Sequence, residues 1–237
     1  MKSKTKILIV DDELINLEFF GVMLSKLGFI VEKAEDGEEA LEKVKSFVPD
    51  LIVLDNIMPK LSGWEVTKTL KQDESYSFAR HIPIIMLSAM DDVKDKIEGF
   101  ELGVEDYITK PFNFSEVFAR IKAVLRNKDM ADQIAHREKR LEVSEALSAF
   151  LVDCVRKLAK PLKDIQREAK KLDSGSAKAV SEFLGRLAVE ADSCVELVKA
   201  AEKKISETEA QHTALKAAEV SVKDIEEKYH VKKDGAG

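Results

Sequence analysis

Short apolar runs alternate with amphipathic stretches through the first 126 residues. Ile7-Leu8-Ile9-Val10 precedes Leu14 to Leu27, Ile30-Val31 precedes Glu38 to Phe47, and Leu51-Ile52-Val53-Leu54 precedes Trp64 to Leu70. Ile84-Ile85-Met86-Leu87 then precedes Val93 to Leu102, and Tyr107-Ile108 precedes Val117 to Leu125. Runs that are apolar throughout, rather than at alternate positions, belong to strands covered on both faces by crossover helices. The pattern predicts an α/β domain over 1–126, a doubly wound five-stranded parallel sheet. Its ligand site is expected beyond the carboxyl ends of the strands, at a topological switch point.

The rest of the chain reads differently. Residues 127–237 hold no strand-like run, and their breakers are Pro161 and the glycines at 175, 185, 235 and 237. Steps of four and three from Met130 pass through Ile134, Arg137, Leu141, Ser144, Ser148, Leu151, Val155, Leu158, Leu162, Ile165, Ala169 and Leu172, a coiled-coil or bundle seam. Asp173-Ser174-Gly175-Ser176 supplies a stop and a new start, and the seam resumes from Val180 through Leu184, Leu187, Ala191, Cys194, Val198, Ala201 and Ile205 to Thr208. Two long helices joined by a tight turn are predicted, and an apolar seam left over on the hairpin favours two copies in a dimeric four-helix bundle. The last helix of the first domain meets no Pro or Gly before Pro161, so it is expected to continue into the first long helix. The expected divisions are 1–126, a helical linker over 127–148, a hairpin over 149–208 and a tail over 209–237.

Composition narrows the class. Of 237 residues, 45% are hydrophobic and 35% charged, as in a folded globular chain. No stretch approaches the ~18 apolar residues that span a bilayer, so a cytoplasmic protein without membrane contact is expected. The first 126 residues carry 17 basic and 23 acidic side chains and the remainder 21 of each, which argues against nucleic acid as a partner. The basic cluster Arg156, Lys157, Lys160, Lys163, Arg167, Lys170 and Lys171 reads as a solvated face. Cys154 and Cys194 fall within helical apolar patterns, where reduced core thiols are expected.

The strand ends carry the chemistry. Asp11 and Asp12 follow the first run, Asp55 ends the third, Ser88-Ala89 follows the fourth and Lys110-Pro111 follows the fifth. Carboxylates gathered in one crevice repel unless a cation joins them, and hard oxygen donors suit Mg²⁺. A phosphoryl group fits between that cation and the Lys110 ammonium, with one carboxylate as its acceptor. Val10-Asp11-Asp12, Asp55-Asn56-Ile57-Met58-Pro59 with Gly63, Leu87-Ser88-Ala89 and Tyr107-Ile108-Thr109-Lys110-Pro111-Phe112 resemble the receiver domain of two-component response regulators over about residues 4–126. The resemblance implies that Asp55 accepts phosphate from a histidine kinase or phosphotransfer protein. It also implies that Asp12, Asp11, Asp55 and the Ile57 carbonyl hold Mg²⁺, and that Lys110 and Ser88, with Ala89 beside it, bind the phosphoryl oxygens. Tyr107 would be the aromatic switch that turns inward as Ser88 moves. The domain would be no enzyme apart from its own Mg-dependent phosphorylation and hydrolysis. Ile57 and Met90 stand near the path of the hydrolytic water; neither can orient it, so a long-lived phosphoryl group is one reading and plain loop packing the other.

Within the second half, Phe150, Leu151, Leu158, Pro161, Leu162 and Ile165 are spaced as in the dimerisation and phosphotransfer helix of histidine kinases, which the run 147–205 resembles. Arg156 stands where that family has its phospho-accepting His, and a guanidinium cannot pass on phosphate. The resemblance implies a degenerate hairpin that dimerises and acts on a downstream protein partner. The alternative is a phosphorelay transferase in which His212 or His136 takes phosphate from Asp55. A DNA-binding regulator ranks third, because no helix-turn-helix signature is present.

Overall fold

The computed structural model describes residues 4–89, 100–172, 176–218 and 220–229. Five parallel strands, β1 (Lys6–Val10), β2 (Ile30–Ala34), β3 (Leu51–Asp55), β4 (Ile84–Ser88) and β5 (Asp106–Thr109), form one sheet in the order β2-β1-β3-β4-β5. This is the expected doubly wound arrangement, and the order reverses between β1 and β3. The register pairs Val10 with Leu54, Asp55 with Leu87 and Ser88 with Thr109. The polar residues that end β1, β3 and β4 therefore lie along one edge.

β3 and β4 are buried along their whole length, as continuous apolar runs require, whereas β2 at the sheet margin alternates exposed and half-buried positions up to the buried Ala34. Helices α1 (Leu14–Lys26), α2 (Gly37–Phe47) and α3 (Gly63–Gln72) begin close to their predicted starts. Asp36 caps α2 by accepting from the Glu39 amide, and Ser62 and Glu65 form a capping box on α3. A 3₁₀ turn over Glu74–Ala79, capped by Asp73, was not predicted: six residues with Ser and Tyr carry no helical period. Most of the Val93–Leu102 stretch lies outside the described residues.

α4 (Phe114–Ala169) runs without interruption for 56 residues, α5 (Ala177–Ala218) for 42, and α6 (Val222–Tyr229) closes the described chain. The described residues fall into two compact units, one of those up to Met130 with those from Lys223 to Tyr229, the other of those from Ala131 to Val222. Within the second unit α4 and α5 are antiparallel. Gln133 Oε1 near one end accepts from the Val220 amide at 2.8 Å, and Glu168 near the other pairs with Arg186 at 3.1 Å.

The seam expected from Met130 is not the covered face. Ile134, Leu141, Val155 and Leu162 are exposed, whereas Gln133, His136, Arg140, Val143, Leu147, Phe150 and Cys154 are buried or half-buried. The covered stripe thus runs one residue ahead of the predicted one over most of its length; of the predicted positions, Met130, Leu151, Leu158, Ile165 and Leu172 are half-buried. The reason is phase, not spacing. From Gln133 to Cys154 the covered positions repeat at the same steps of three and four, offset by one residue, and spacing alone does not say which of two neighbouring stripes is covered. Arg137, Ser144 and Ser148, expected as polar seam positions, all face outward. On α5 the predicted seam is covered at Val180, Leu187, Cys194, Ala201, Ile205 and Thr208, while Leu184, Ala191 and Val198 are exposed.

Candidate functional site

The loop after β1 turns because Asp11 Oδ1 accepts from the Glu13 amide at 2.9 Å. That bond holds the Asp11 carboxylate, fully buried, at the mouth of the sheet. Asn16, one turn into α1, donates to both Asp11 oxygens at 3.0 and 3.1 Å. Sequence reading passed over Asn16; its signal is an amide five residues beyond the first carboxylate, on the first turn of a helix.

Asp55 is 3% exposed at the end of β3, and Asp12 is exposed beside the two buried carboxylates. One oxygen from each of Asp11, Asp12 and Asp55 falls within a span of 4.8 Å. Lys110 enters from β5, its Nζ 2.7 Å from Asp55 Oδ2 and 3.8 Å from Asp11 Oδ2. Its backbone amide donates to the Ser88 carbonyl at 2.8 Å, which fixes the end of β5 against the end of β4. Burial pushes the Asp55 carboxyl above its ordinary value; Lys110 pulls it down, Asp11 pushes it up, and the result stays raised. Burial also works against the Lys110 ammonium, but the bond to Asp55 and the charges of Asp55, Asp11 and Glu13 outweigh it and raise its pKa. The crevice carries more negative charge than one lysine balances, and its donors are all hard oxygens; a small divalent cation matches both features.

Asn56 is buried behind Asp55, its amide bonded to Leu87 O and its carbonyl to the Gly63 amide, both at 2.9 Å. Gly63 is required by that closeness, since a Cβ there would strike the Asp55 carbonyl oxygen and reach Asn56 Cα and Met86 Sδ at 2.9 Å. Between them the loop presents Ile57, exposed to solvent, and Lys60, whose Nζ reaches Asp36 Oδ2 at 2.5 Å. The Glu39 amide and then Lys60 hold the Asp36 carboxyl below its ordinary value. Ser88 is buried at the end of β4 and Ala89 exposed after it, whereas Met90 lies outside the described residues. Tyr107 is buried, its ring 5.1 Å from that of Phe100 and 6.1 Å from that of Trp64.

This sheet order and strand-end chemistry agree with a family model, the response regulator receiver domain, matched over residues 7–122. Residues 7–122 are similar to that family. A receiver domain with such an acidic cluster is suited to its own metal-dependent phosphorylation. The chain is 48% identical over 126 residues to the alkaline phosphatase synthesis transcriptional regulatory protein PhoP of Bacillus subtilis, covering 53% of this chain and 50% of that protein. It is 38% identical over 130 residues to the DNA-binding dual master transcriptional regulator RpaA of Synechocystis, covering 55% of this chain and 53% of that one. The chain thus spans about half the length of the curated relatives it matches. A CheY-like receiver domain protein of Methanospirillum hungatei superposes with a TM-score of 0.50 at 25% identity, over 54% of this chain and 99% of that one.

These relatives overturn the expectations for the second half. Proteins named as transcriptional regulators, one of them as DNA-binding, replace the kinase-like dimerisation hairpin, the dimeric four-helix bundle and the output through a protein partner. They overturn equally the transfer of phosphate to His212 or His136; both side chains are half-buried along the helices of the second unit. The exclusion of nucleic acid falls with them, because charge summed over a half-chain says nothing of how it is distributed on one face. Among the described residues no helix is long and apolar enough to cross a membrane.

Proposed function

We propose that the chain is a phosphorylation-switched regulator of transcription. Asp55 is the acceptor: its carboxylate oxygen attacks the phosphorus of a phosphohistidine or acyl phosphate. The donor's bond to phosphorus breaks, and the electron pair leaves with imidazole or carboxylate. Asp11, Asp12, Asp55 and the Ile57 carbonyl are the oxygen donors for Mg²⁺, which when bound neutralises charge on the phosphoryl oxygens. Lys110 exchanges its contact with the Asp55 carboxylate for one with the transferred group. The Ser88 hydroxyl, with Ala89 beside it, takes another phosphoryl oxygen, and Tyr107 follows that movement as the switch.

The observation that carries this reading is the 2.7 Å contact between Lys110 and Asp55 inside the three-carboxylate cluster. The similarity to PhoP and RpaA, both transcriptional regulators, supports transcription as the output. Labelling by acetyl phosphate is expected to need Mg²⁺ and to disappear in Asp55→Asn, and that variant is expected to shift the transcript profile of its host. Label that persists in Asp55→Asn refutes the acceptor; an unchanged transcript profile refutes the output.

A further inference from the structure

The positive charge of α4 is concentrated near its C-terminal end. Between Leu151 and Leu172 the chain carries seven basic side chains and three acidic ones. Arg156, Lys160, Lys163, Arg167 and Lys170 follow one another at steps of four, three, four and three, so they share one face, with Lys171 at its margin. All are exposed. The covered residues of the same stretch, Cys154, Leu158, Ile165 and Leu172, lie on the opposite side of the helix. The apolar contacts of this segment therefore leave the basic face open.

The charges on this face are mostly uncompensated. Arg167 pairs with Asp164 at 2.9 Å, and Lys157, off the stripe, pairs with Asp153 at 2.7 Å. Among the described residues, Arg156, Lys160, Lys163 and Lys170 take part in no ion pair. Fourteen steps of chain, from Arg156 to Lys170 in the turn just past Ala169, place five cations along about 21 Å, with about 5–6 Å between successive ones. A row of cations along a helix fits a partner whose negative charge is itself a row, and duplex DNA carries one charge per about 1.7 Å of its axis. An anionic bilayer would be gripped through apolar side chains interleaved with the lysines; of the exposed apolar residues here, Val152 precedes the stripe, and Val155 and Leu162 sit about 100–120° around the helix from it.

We propose that this face of α4 binds the phosphate backbone of duplex DNA; the proposal rests on the transcriptional reading above and names the surface that would serve it. Contacts of this kind position a protein on the duplex without reading its sequence. The test uses the full chain and a fluorescein-labelled mixed-sequence duplex, followed by anisotropy across a salt series. A variant carrying Arg156→Gln, Lys160→Gln, Lys163→Gln and Lys170→Gln removes the stripe at exposed positions outside the receiver. Labelling of Asp55 by acetyl phosphate, unchanged in it, reports that the receiver survives, and an unchanged helical circular dichroism spectrum reports that the second unit does. Wild type is expected to bind with a steep salt dependence. The variant is expected to bind about tenfold or more weakly at low salt, with the log–log slope reduced by about 3–4, close to 0.9 per lost phosphate contact. Equal binding by the two proteins overturns the stripe and leaves the transcriptional reading standing. A wild type that labels at Asp55 yet binds no duplex overturns both, and binding to phosphatidylglycerol vesicles in place of DNA overturns the choice of partner.

Discussion

The Tyr229 hydroxyl donates to Asp129 Oδ2 at 2.9 Å, joining two residues one hundred positions apart in the chain. Lys228 Nζ reaches the same oxygen at 2.9 Å, and Ile225, one turn earlier in α6, is buried. Asp129 lies in the part of α4 that belongs to the receiver unit, and its neighbour Lys128 donates to the Asp50 carbonyl at 3.1 Å just before β3. The last described helix is therefore a component of the receiver unit, held at the end of the sheet opposite Asp55.

Tyr229→Phe keeps the buried ring and removes the donor. A hydrogen bond to a charged acceptor is worth ~1.5–3 kcal/mol, and Asp129 keeps Lys228 and some solvent, so a loss near ~1 kcal/mol is expected. Amide hydrogen exchange should show faster opening of α6, with the central strands unchanged. Equal protection of α6 in both proteins would mean that the bond contributes nothing to docking.

Alkali should act at the same place. Burial first, and then the charge of Asp129 and the bond to it, raise the Tyr229 phenol above its ordinary value of 10.0. A group whose folded pKa is raised stabilises fully below the unfolded value and loses that contribution as pH climbs toward the folded one. Docking of α6 is thus expected to hold up to about pH 10 and to weaken above it. Denaturation curves recorded on both sides of that pH, with Tyr229→Phe as the reference, check it: the variant should lack this part of the alkaline loss.

Gly63→Ala tests how the β3 end is built. The added methyl meets Asp55 and Asn56 backbone and Met86 Sδ, so the loop must move or α3 must tilt. A destabilisation of ~1–3 kcal/mol is expected, as for other overpacked sites, together with slower acetyl phosphate labelling. Wild-type stability would show that the loop yields freely.

Ile57 offers a test of phosphoryl lifetime. Its side chain is 58% exposed on the loop that follows Asp55, where it has no group to hold a water in line. Ile57→Asn is expected to hasten decay of the phosphorylated form severalfold, measured by loss of label after removal of the donor. Unchanged decay would favour simple packing.

Much of the receiver was legible in the linear pattern. Five apolar runs ended in polar residues, and one parallel sheet covered by helices is the arrangement that buries such runs while exposing their ends. Asp11, Asp12, Asp55, Ser88 and Lys110 were readable for the same reason, since each follows or closes a run. Asn16, Lys60 and the requirement for Gly63 were not, because each acts on a neighbour that only the folded loops bring close. Periodicity was a weaker guide beyond residue 130. The sequence by itself determined that this half is helical and where its breakers fall. Which stripe of α4 is covered was decided by tertiary packing, because neighbouring stripes one residue apart share the same spacing and were almost equally apolar. The place of α6 was likewise a matter of tertiary structure: eight residues hold Ile225 and Tyr229 as anchors, and nothing local specifies that their partner lies a hundred residues back.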